Sequence, residues 1–117
     1  MDGALESLTR ALRSFAAERD WEQFHSPKNL AAALTVEAAE LLEHFQWLTD
    51  EQSRSLSSGK RVAVSHELAD VLLYLLQIAD KLQIDLVAAA REKLELNASK
   101  YPVAQARGTS RKYTELD

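Results

Sequence analysis

The sequence predicts an all-α fold, a small helical bundle with four main helices and one short helix. Only three glycines and two prolines punctuate the 117 residues, which favours a few long helices over many strands and tight turns. Leu30, Leu34, Leu41 and Leu48 lie on one stripe at helical spacing, and the same period recurs earlier and later in the chain. The length is that of a single domain, predicted over residues 1–117.

The first helix is predicted over residues 4–22 because apolar residues recur there every three or four positions. Its core stripe is Leu5, Leu8, Leu12 and Phe15. Ser26 is a good N-cap and Pro27 a good first helical residue, so the second helix is predicted to begin at Pro27. It is expected to run to about Trp47 or Leu48.

Three further elements complete the bundle. The segment Thr49-Asp50-Glu51-Gln52 has the pattern of a capping box and predicts a short third helix, which Ser57-Ser58-Gly59 should end. The fourth helix is predicted over residues 60–82. Its core stripe is Leu68, Leu72, Leu75, Ala79 and Leu82. Asp85 should cap a fifth helix that runs to about Lys100 and stops before Tyr101-Pro102.

The tail from about Val103 to Asp117 has no periodicity and is predicted to be extended, within reach of a neighbouring subunit. The second and fourth helices carry apolar residues on more than one face, and a short chain cannot easily cover every face. A homodimer or homotetramer is therefore expected.

Composition excludes several classes of function. The net charge of −4 argues against a surface for nucleic-acid polymers or anionic membranes. The absence of cysteine excludes disulfides, thiolate zinc sites and cysteine nucleophiles. The longest apolar run, Val71 to Leu76, is too short to cross a bilayer, and no export signal is recognisable. A cytoplasmic location is expected.

Two acidic pairs are the main candidates for a metal site. Glu37 and Glu40 on the second helix, and Glu67 and Asp70 on the fourth, are each spaced i,i+3 at the margin of an apolar stripe. Carboxylates in such positions are costly unless a cation pairs with them. Oxygen ligands favour Mg²⁺, for which Mn²⁺ commonly substitutes. The alternative is that the four acids are exposed and salt-bridged.

Four carboxylates exceed the charge of one divalent ion, so the site needs either more than one ion or other cations. The chemistry that this donor set indicates is metal-assisted attack of water on a phosphoanhydride. Either Glu40 or Glu43 is a candidate to accept a proton from that water.

Aromatic residues near the acidic pairs are candidates for binding a nucleoside. Trp47 and Tyr74 each lie seven residues after a carboxylate, which places each ring two helical turns along the same face. A base can stack on such rings, although core packing explains each aromatic residue as well. Trp21, Phe24 and His25 stand at the end of the first helix, where His25 either binds the nucleoside or caps a helix.

Candidates for phosphate binding are Lys28, Asn97 and Lys100. A triphosphate needs cations beyond the metal, and lysine serves as a point charge. Glu22 and His25 form a Glu-x-x-His pair of the kind found in di-iron bundles. Those bundles need two such pairs, and the chain has only one.

The two acidic pairs form one motif, Glu37-x-x-Glu40 followed after a gap of 26 residues by Glu67-x-x-Asp70. This motif resembles the signature of the MazG-like, all-α nucleoside triphosphate pyrophosphohydrolases. Other segments resemble the dCTP pyrophosphatase branch of that family. They are Phe15 to His25, Phe45-Gln46-Trp47, Lys100-Tyr101-Pro102 and Arg111 to Leu116. The resemblance covers nearly the whole chain.

This resemblance implies an all-helical subunit in a tight dimer, often paired again into a tetramer. It implies cleavage of a nucleoside triphosphate, dCTP or modified dCTP above all, into a monophosphate and pyrophosphate. By matching positions, Glu37, Glu40, Glu67 and Asp70 would hold Mg²⁺. Trp21 to His25, Trp47 and Tyr74 would surround the nucleoside, and Asn97 and Lys100 would approach the phosphates.

One departure concerns Leu12, which stands where relatives carry a substrate-contacting histidine, so the base preference stays open. The role that the resemblance implies is removal of non-canonical or surplus deoxynucleotides. Two other functions stay open from the residues alone: a non-catalytic helical module that binds nucleotides or a protein, and a di-metal redox bundle.

Overall fold

The computed structural model describes residues 3–116, and these form α-helices and short 3-10 turns without a strand. The predicted all-α class is therefore confirmed. The helices are α1 (Gly3–Glu18), α2 (Pro27–Glu43), α3 (Asp50–Ser53), α4 (Ser58–Lys81), α5 (Leu86–Lys100) and α6 (Val103–Ala106). The chain divides into two compact units, one ending at Ile84 and the other beginning at Asp85.

In the first unit, α4 is the central helix and packs against both α2 and α1. The apolar side chains buried most completely are Ala16, Leu30, Val64, Leu76 and Ala79. Arg13 of α1 adds a polar link to α4, because its guanidinium donates to both carboxylate oxygens of Asp80, with Nε 2.9 Å from Oδ2. These contacts hold α1 and α2 against α4.

The helix starts follow the predicted caps. The Ser26 hydroxyl accepts from the backbone N–H of Asn29 at 3.1 Å, and Asp85 accepts from Ala88 at 3.1 Å. Thr49 and Gln52 form the predicted capping box, with backbone-to-side-chain bonds of 3.0 and 3.1 Å. The prediction for Ser57-Ser58-Gly59 was wrong. Ser57 caps α4 instead, and α3 already ends at Ser53.

Two helices end earlier than predicted. α1 ends at Glu18 rather than residue 22, because Asp20 adopts a left-handed backbone with φ of 54° and the chain re-forms only as a 3-10 turn over Glu22–Phe24. α2 ends at Glu43, and tight turns follow in which the N–H of Phe45 donates to the carbonyl of Leu42 at 2.9 Å. Trp47 therefore lies outside α2.

The predicted core stripes of α1 and α4 are largely uncovered in the described chain. Leu8 and Phe15 on α1 are exposed, as are Leu68, Leu75 and Leu82 on α4. Of the predicted α4 stripe only Ala79 is among the most buried residues. The buried residues of α4 are Val64, Leu76 and Ala79, so its partners cover the predicted stripe only in part.

α4 is also long and apolar enough to meet a length-and-composition test for a membrane-crossing helix. A central helix of a bundle meets the same test, and α4 packs against two helices and carries three acidic residues. A carboxylate within a bilayer is costly, so these features are those of a bundle helix.

The second unit contains α5 and the tail. The tail was predicted to be extended. It is not extended throughout, because it forms α6 and a 3-10 turn over Tyr113–Glu115. The rings of Tyr101 and Tyr113 meet edge to face at 6.1 Å, and Lys100 Nζ lies 4.9 Å from the Tyr113 ring centroid. Aromatic contacts thus fold the tail back on the end of α5. Asp117 lies outside the described residues.

Candidate functional site

The acidic pairs of α2 and α4 come together. Glu37, Glu67 and Asp70 each offer a carboxylate oxygen, and these oxygens all lie within 4.8 Å of one another. Both Glu37 and Glu67 are half-buried. The two helices bring them together because they run in opposite directions. His44 follows Glu37 by seven residues and Lys60 precedes Glu67 by seven, and the distance from His44 Nδ1 to Lys60 Nζ is 3.3 Å.

Crowding of the acids perturbs Glu37 strongly. Its pKa rises from 4.5 to about 7, first because the protonated form shares a hydrogen bond with Glu67 and then because burial disfavours the charge. A hydrogen bond to Glu40 and the charges of Glu40 and Asp70 add to the effect. A proton on Glu37 thus relieves the repulsion among these carboxylates.

The Glu67 carboxylate shows that the donor set suits a cation. Its Oε2 atom is buried and makes no hydrogen bond to any of the described residues. An acceptor of this kind is costly unless something positive faces it. Three carboxylate oxygens lie in close reach of one another, and they are ligands of the type that Mg²⁺ and Mn²⁺ take.

Glu40 adjoins this group without belonging to the set of three. It contacts Glu37, which accounts for part of the raised pKa of Glu37. Glu43, the other candidate to accept a proton, is exposed in the last residue of α2. All four predicted acids therefore lie in one neighbourhood, with Glu37 at its centre.

A cleft of about 380 Å³ opens beside the acidic cluster, between α1 and α4. The α4 side is Asp70, Leu73 and Tyr74. The α1 side is wholly apolar: Leu8, Ala11, Leu12 and Phe15. Burial raises the pKa of Tyr74 first, and the nearby charges of Glu37 and Asp70 raise it further. Tyr74 therefore lies close to the acids, as its spacing predicted.

Trp21 contacts Phe15, which lines the cleft. Its ring meets that of Phe15 edge to face, with centroids 5.7 Å apart and an angle of 68° between the planes. On its other side Trp21 meets His25 at 6.4 Å and 72°. Phe24, in the 3-10 turn, is exposed. Trp21 and His25 thus form a cluster with Phe15 at the border of the cleft.

Trp47 does not lie where the sequence predicted. The prediction placed it two helical turns beyond Glu40 on the same face, but α2 ends at Glu43. Trp47 follows in a turn and its side chain is 88% exposed. The helical spacing argument fails because it extended α2 past its end.

His25 is half-buried and lines a small cavity of about 20 Å³ with Arg13, Glu22 and Asp80. Within residues 3–116, Glu22 and His25 belong to no group of three His, Cys, Asp or Glu close enough to share an ion. The di-metal redox alternative needs a second Glu-x-x-His pair, and the sequence has only one. Lys28 is exposed in the first turn of α2.

Asn97 and Lys100 lie on α5 in the second unit. Asn97 is half-buried, whereas Lys100 is exposed and faces the Tyr113 ring. Their approach to the phosphates stays a prediction, as do the roles of Lys28 and of the aromatic residues.

Sequence reasoning did not identify the α1 wall of the cleft. The spacing of Leu8, Leu12 and Phe15 is that of a buried stripe and predicts core residues. The spacing identifies the face correctly but does not tell whether protein or a ligand covers it. The contact between His44 and Lys60 was also not predicted, since it depends on how α2 and α4 pair.

Comparison with known proteins places this geometry in a family. The MazG-like family model matches residues 32–116. The dCTP pyrophosphatase 1 of Homo sapiens is 48% identical over 96% of this chain and 67% of its own length. That of Bos taurus is 46% identical over 96% of this chain and 68% of its own length.

A solved structure is similar as well. The crystal structure of a pyrophosphatase from Archaeoglobus fulgidus aligns with a TM-score of 0.81 and 39% identity, covering 87% of this chain and 95% of the other. Together, the acidic cluster between α2 and α4, the family match and the identity to these relatives show that the chain belongs to the MazG-like family, in the branch of the dCTP pyrophosphatases.

Proposed function

We propose that this protein is a Mg²⁺-dependent hydrolase that converts a deoxynucleoside triphosphate, dCTP or a modified dCTP first, to the monophosphate and pyrophosphate. That the chain is a pyrophosphohydrolase follows from its identity of 45–48% to the mammalian dCTP pyrophosphatases. The metal and the substrate are the proposal. A cytoplasmic role in clearing surplus or non-canonical deoxynucleotides goes with it.

The proposal rests mainly on one observation: a carboxylate oxygen from each of Glu37, Glu67 and Asp70 lies within 4.8 Å of the other two. These three carboxylates would hold the ion. When bound, Mg²⁺ supplies positive charge that binds the triphosphate and makes a nearby water more acidic.

The chain's own residues would supply the rest. Glu40 lies beside Glu37 and outside the set of three, and its carboxylate would take the proton of the attacking water. The cleft between α1 and α4 would seat the nucleoside, because it begins at Asp70 and is lined mostly by apolar side chains. The bond that breaks joins the α-phosphorus to the oxygen bridging the α and β phosphates, and pyrophosphate leaves.

The direct test is release of pyrophosphate from a panel of dNTPs, with and without Mg²⁺. We expect turnover only with Mg²⁺ or Mn²⁺, and fastest with dCTP or a 5-substituted analogue. Replacing Glu37→Gln or Asp70→Asn should lower kcat/KM by about 100-fold or more, since each removes a charged ligand at the ion.

Glu51→Gln is the matched control, because Glu51 is exposed on α3 and belongs to neither acidic pair. It should leave activity unchanged. Full activity in Glu37→Gln or Asp70→Asn would refute the metal role. A non-catalytic nucleotide-binding module, by contrast, would bind dNTPs without releasing pyrophosphate from any of them.

A further inference from the structure

Phe15 is an aromatic residue left uncovered at the wall of the cleft. It lies on the apolar face of α1, yet its side chain is 46% exposed. It lines the cleft together with Asp70 and Tyr74 of α4. Burying such a ring against protein would be favourable, so its exposure here indicates a surface that something else covers.

Two neighbouring side chains hold the Phe15 ring in place. The guanidinium carbon of Arg19 lies 3.6 Å from the ring centroid. Arg19 Nη1 also donates to the backbone carbonyl of Phe15 at 3.1 Å, which keeps the guanidinium over the ring. The Trp21 ring meets Phe15 edge to face at 5.7 Å. Both contacts are favourable for an aromatic ring, so the ring is ordered before any ligand arrives.

We propose that Phe15, fixed by Arg19, is the surface against which the nucleobase of the substrate stacks. The inference rests on the proposed function and adds a contact residue to it. The cleft volume of about 380 Å³ lies within the range of small-molecule sites. Asp70 belongs both to the cleft and to the acidic cluster, so a ring seated against Phe15 leaves its phosphates on the side of the carboxylates.

The chemistry of the α1 wall indicates what this contact recognises. Leu8, Ala11, Leu12 and Phe15 present no side-chain hydrogen-bonding group to the cleft. Phe15 therefore contacts the face of the base and does not read its edge. Stacking of this kind tolerates any base, because every base has a π face. The contribution of Phe15 should be similar for pyrimidine and purine substrates.

The test compares Phe15→Leu, which keeps an apolar side chain but loses the ring, with Phe15→Tyr, which keeps the ring. Phe15→Leu should raise KM for dCTP roughly 5- to 50-fold with kcat within about twofold, by the usual strength of base–aromatic stacking. Phe15→Tyr should stay near the unaltered protein. The rise in KM should be alike across the dNTPs that the enzyme accepts.

Arg19→Met tests the fixing of the ring. It should raise KM a few-fold and add little in combination with Phe15→Leu, because the two act as one unit. Arg10→Met is the control: it removes the same charge from α1, at a side chain whose described ion pair is with Glu6 at 3.7 Å. It should leave KM unchanged. Thermal melts show whether each variant is folded.

Binding of α,β-methylene dCTP, measured by calorimetry, separates this inference from the proposed function because it needs no turnover. A weaker Kd in Phe15→Leu and a normal Kd in Phe15→Tyr support the stacking contact even if no dNTP is hydrolysed, a result that would overturn the proposed function alone. Unchanged KM and Kd in Phe15→Leu, or equal losses in both variants, would overturn the inference.

Discussion

Glu37 shows how one residue combines fold and chemistry. It occupies a position on the α2 stripe where a bundle helix would carry an apolar residue, and the structure surrounds it with other acids. The sequence predicted this crowding because the two i,i+3 pairs are local helical patterns. It did not predict that the pKa of Glu37 would rise, since that depends on the contact with Glu67 across the helix pair.

The raised pKa of Glu37 predicts how metal-free protein responds to pH. Between pH 4.5 and about 7 the folded state keeps a proton that the unfolded state releases. The stability due to this group is therefore fully present below pH 4.5 and is lost as pH rises toward 7. Scanning calorimetry from pH 5 to 8 should show Tm falling in the metal-free protein, and less so in Glu37→Gln.

Added Mg²⁺ should reverse this trend, because it binds the deprotonated carboxylates and only the folded protein assembles them. The rise in Tm at saturating Mg²⁺ should be larger at pH 8 than at pH 5.5. A Tm that ignores both pH and Mg²⁺ across this range would contradict the close carboxylate cluster on which the proposed site depends.

At the scale of elements, helix starts were more predictable than helix ends. Ser26, Thr49 and Asp85 cap their helices as predicted, because a cap is a local bond between a side chain and a nearby N–H. The ends of α1 and α2 carry no glycine or proline, and Asp20 takes up the left-handed conformation instead. Without that punctuation the apolar period extended both helices too far, which misplaced Trp47.

The link between Arg13 and Asp80 joins two elements 67 residues apart, and we expect it to hold α1 against α4. The contact lowers the pKa of Asp80, chiefly through its hydrogen bond with Arg13. A lowered pKa means that the stabilisation is present above the ordinary value of 3.8 and is lost as pH falls through the folded pKa. Asp80→Asn should therefore lower Tm by a few degrees at pH 7.

Glu6→Gln is the comparison for this effect, since it breaks an ion pair in which both side chains are largely exposed. It should change Tm little at any pH. The deficit of Asp80→Asn should shrink as pH falls below 3.8, because the unfolded state of the unaltered protein then takes up a proton on Asp80 that the ion pair keeps off the folded state. A deficit that stays constant down to pH 2.5 would show that the ion pair is not its cause.

For the molecule as a whole, the sequence predicted which helices carry the site but not which faces they bury. The acids of α2 and α4 meet because the two helices pack together in opposite directions. The apolar row Leu68, Leu75 and Leu82, spaced by seven residues along α4, was predicted to be core. Leu68 is 53% and Leu82 52% exposed in the single chain. Periodicity identifies an apolar face without telling whether its partner belongs to the same chain or to another copy.

This uncovered row favours a homo-oligomer, and its removal is the test. By light scattering after gel filtration, the protein should have a mass of at least twice 13.1 kDa. Leu75→Asp places a charge at the centre of the row, and an unpaired charge in an apolar interface is strongly unfavourable. We expect this variant to shift toward 13.1 kDa, while Ser55→Asp, which adds the same charge at an exposed position before α4, keeps the larger mass. A single-chain mass for the unaltered protein at micromolar concentration would contradict the assembly, because the row would then face water in the native state.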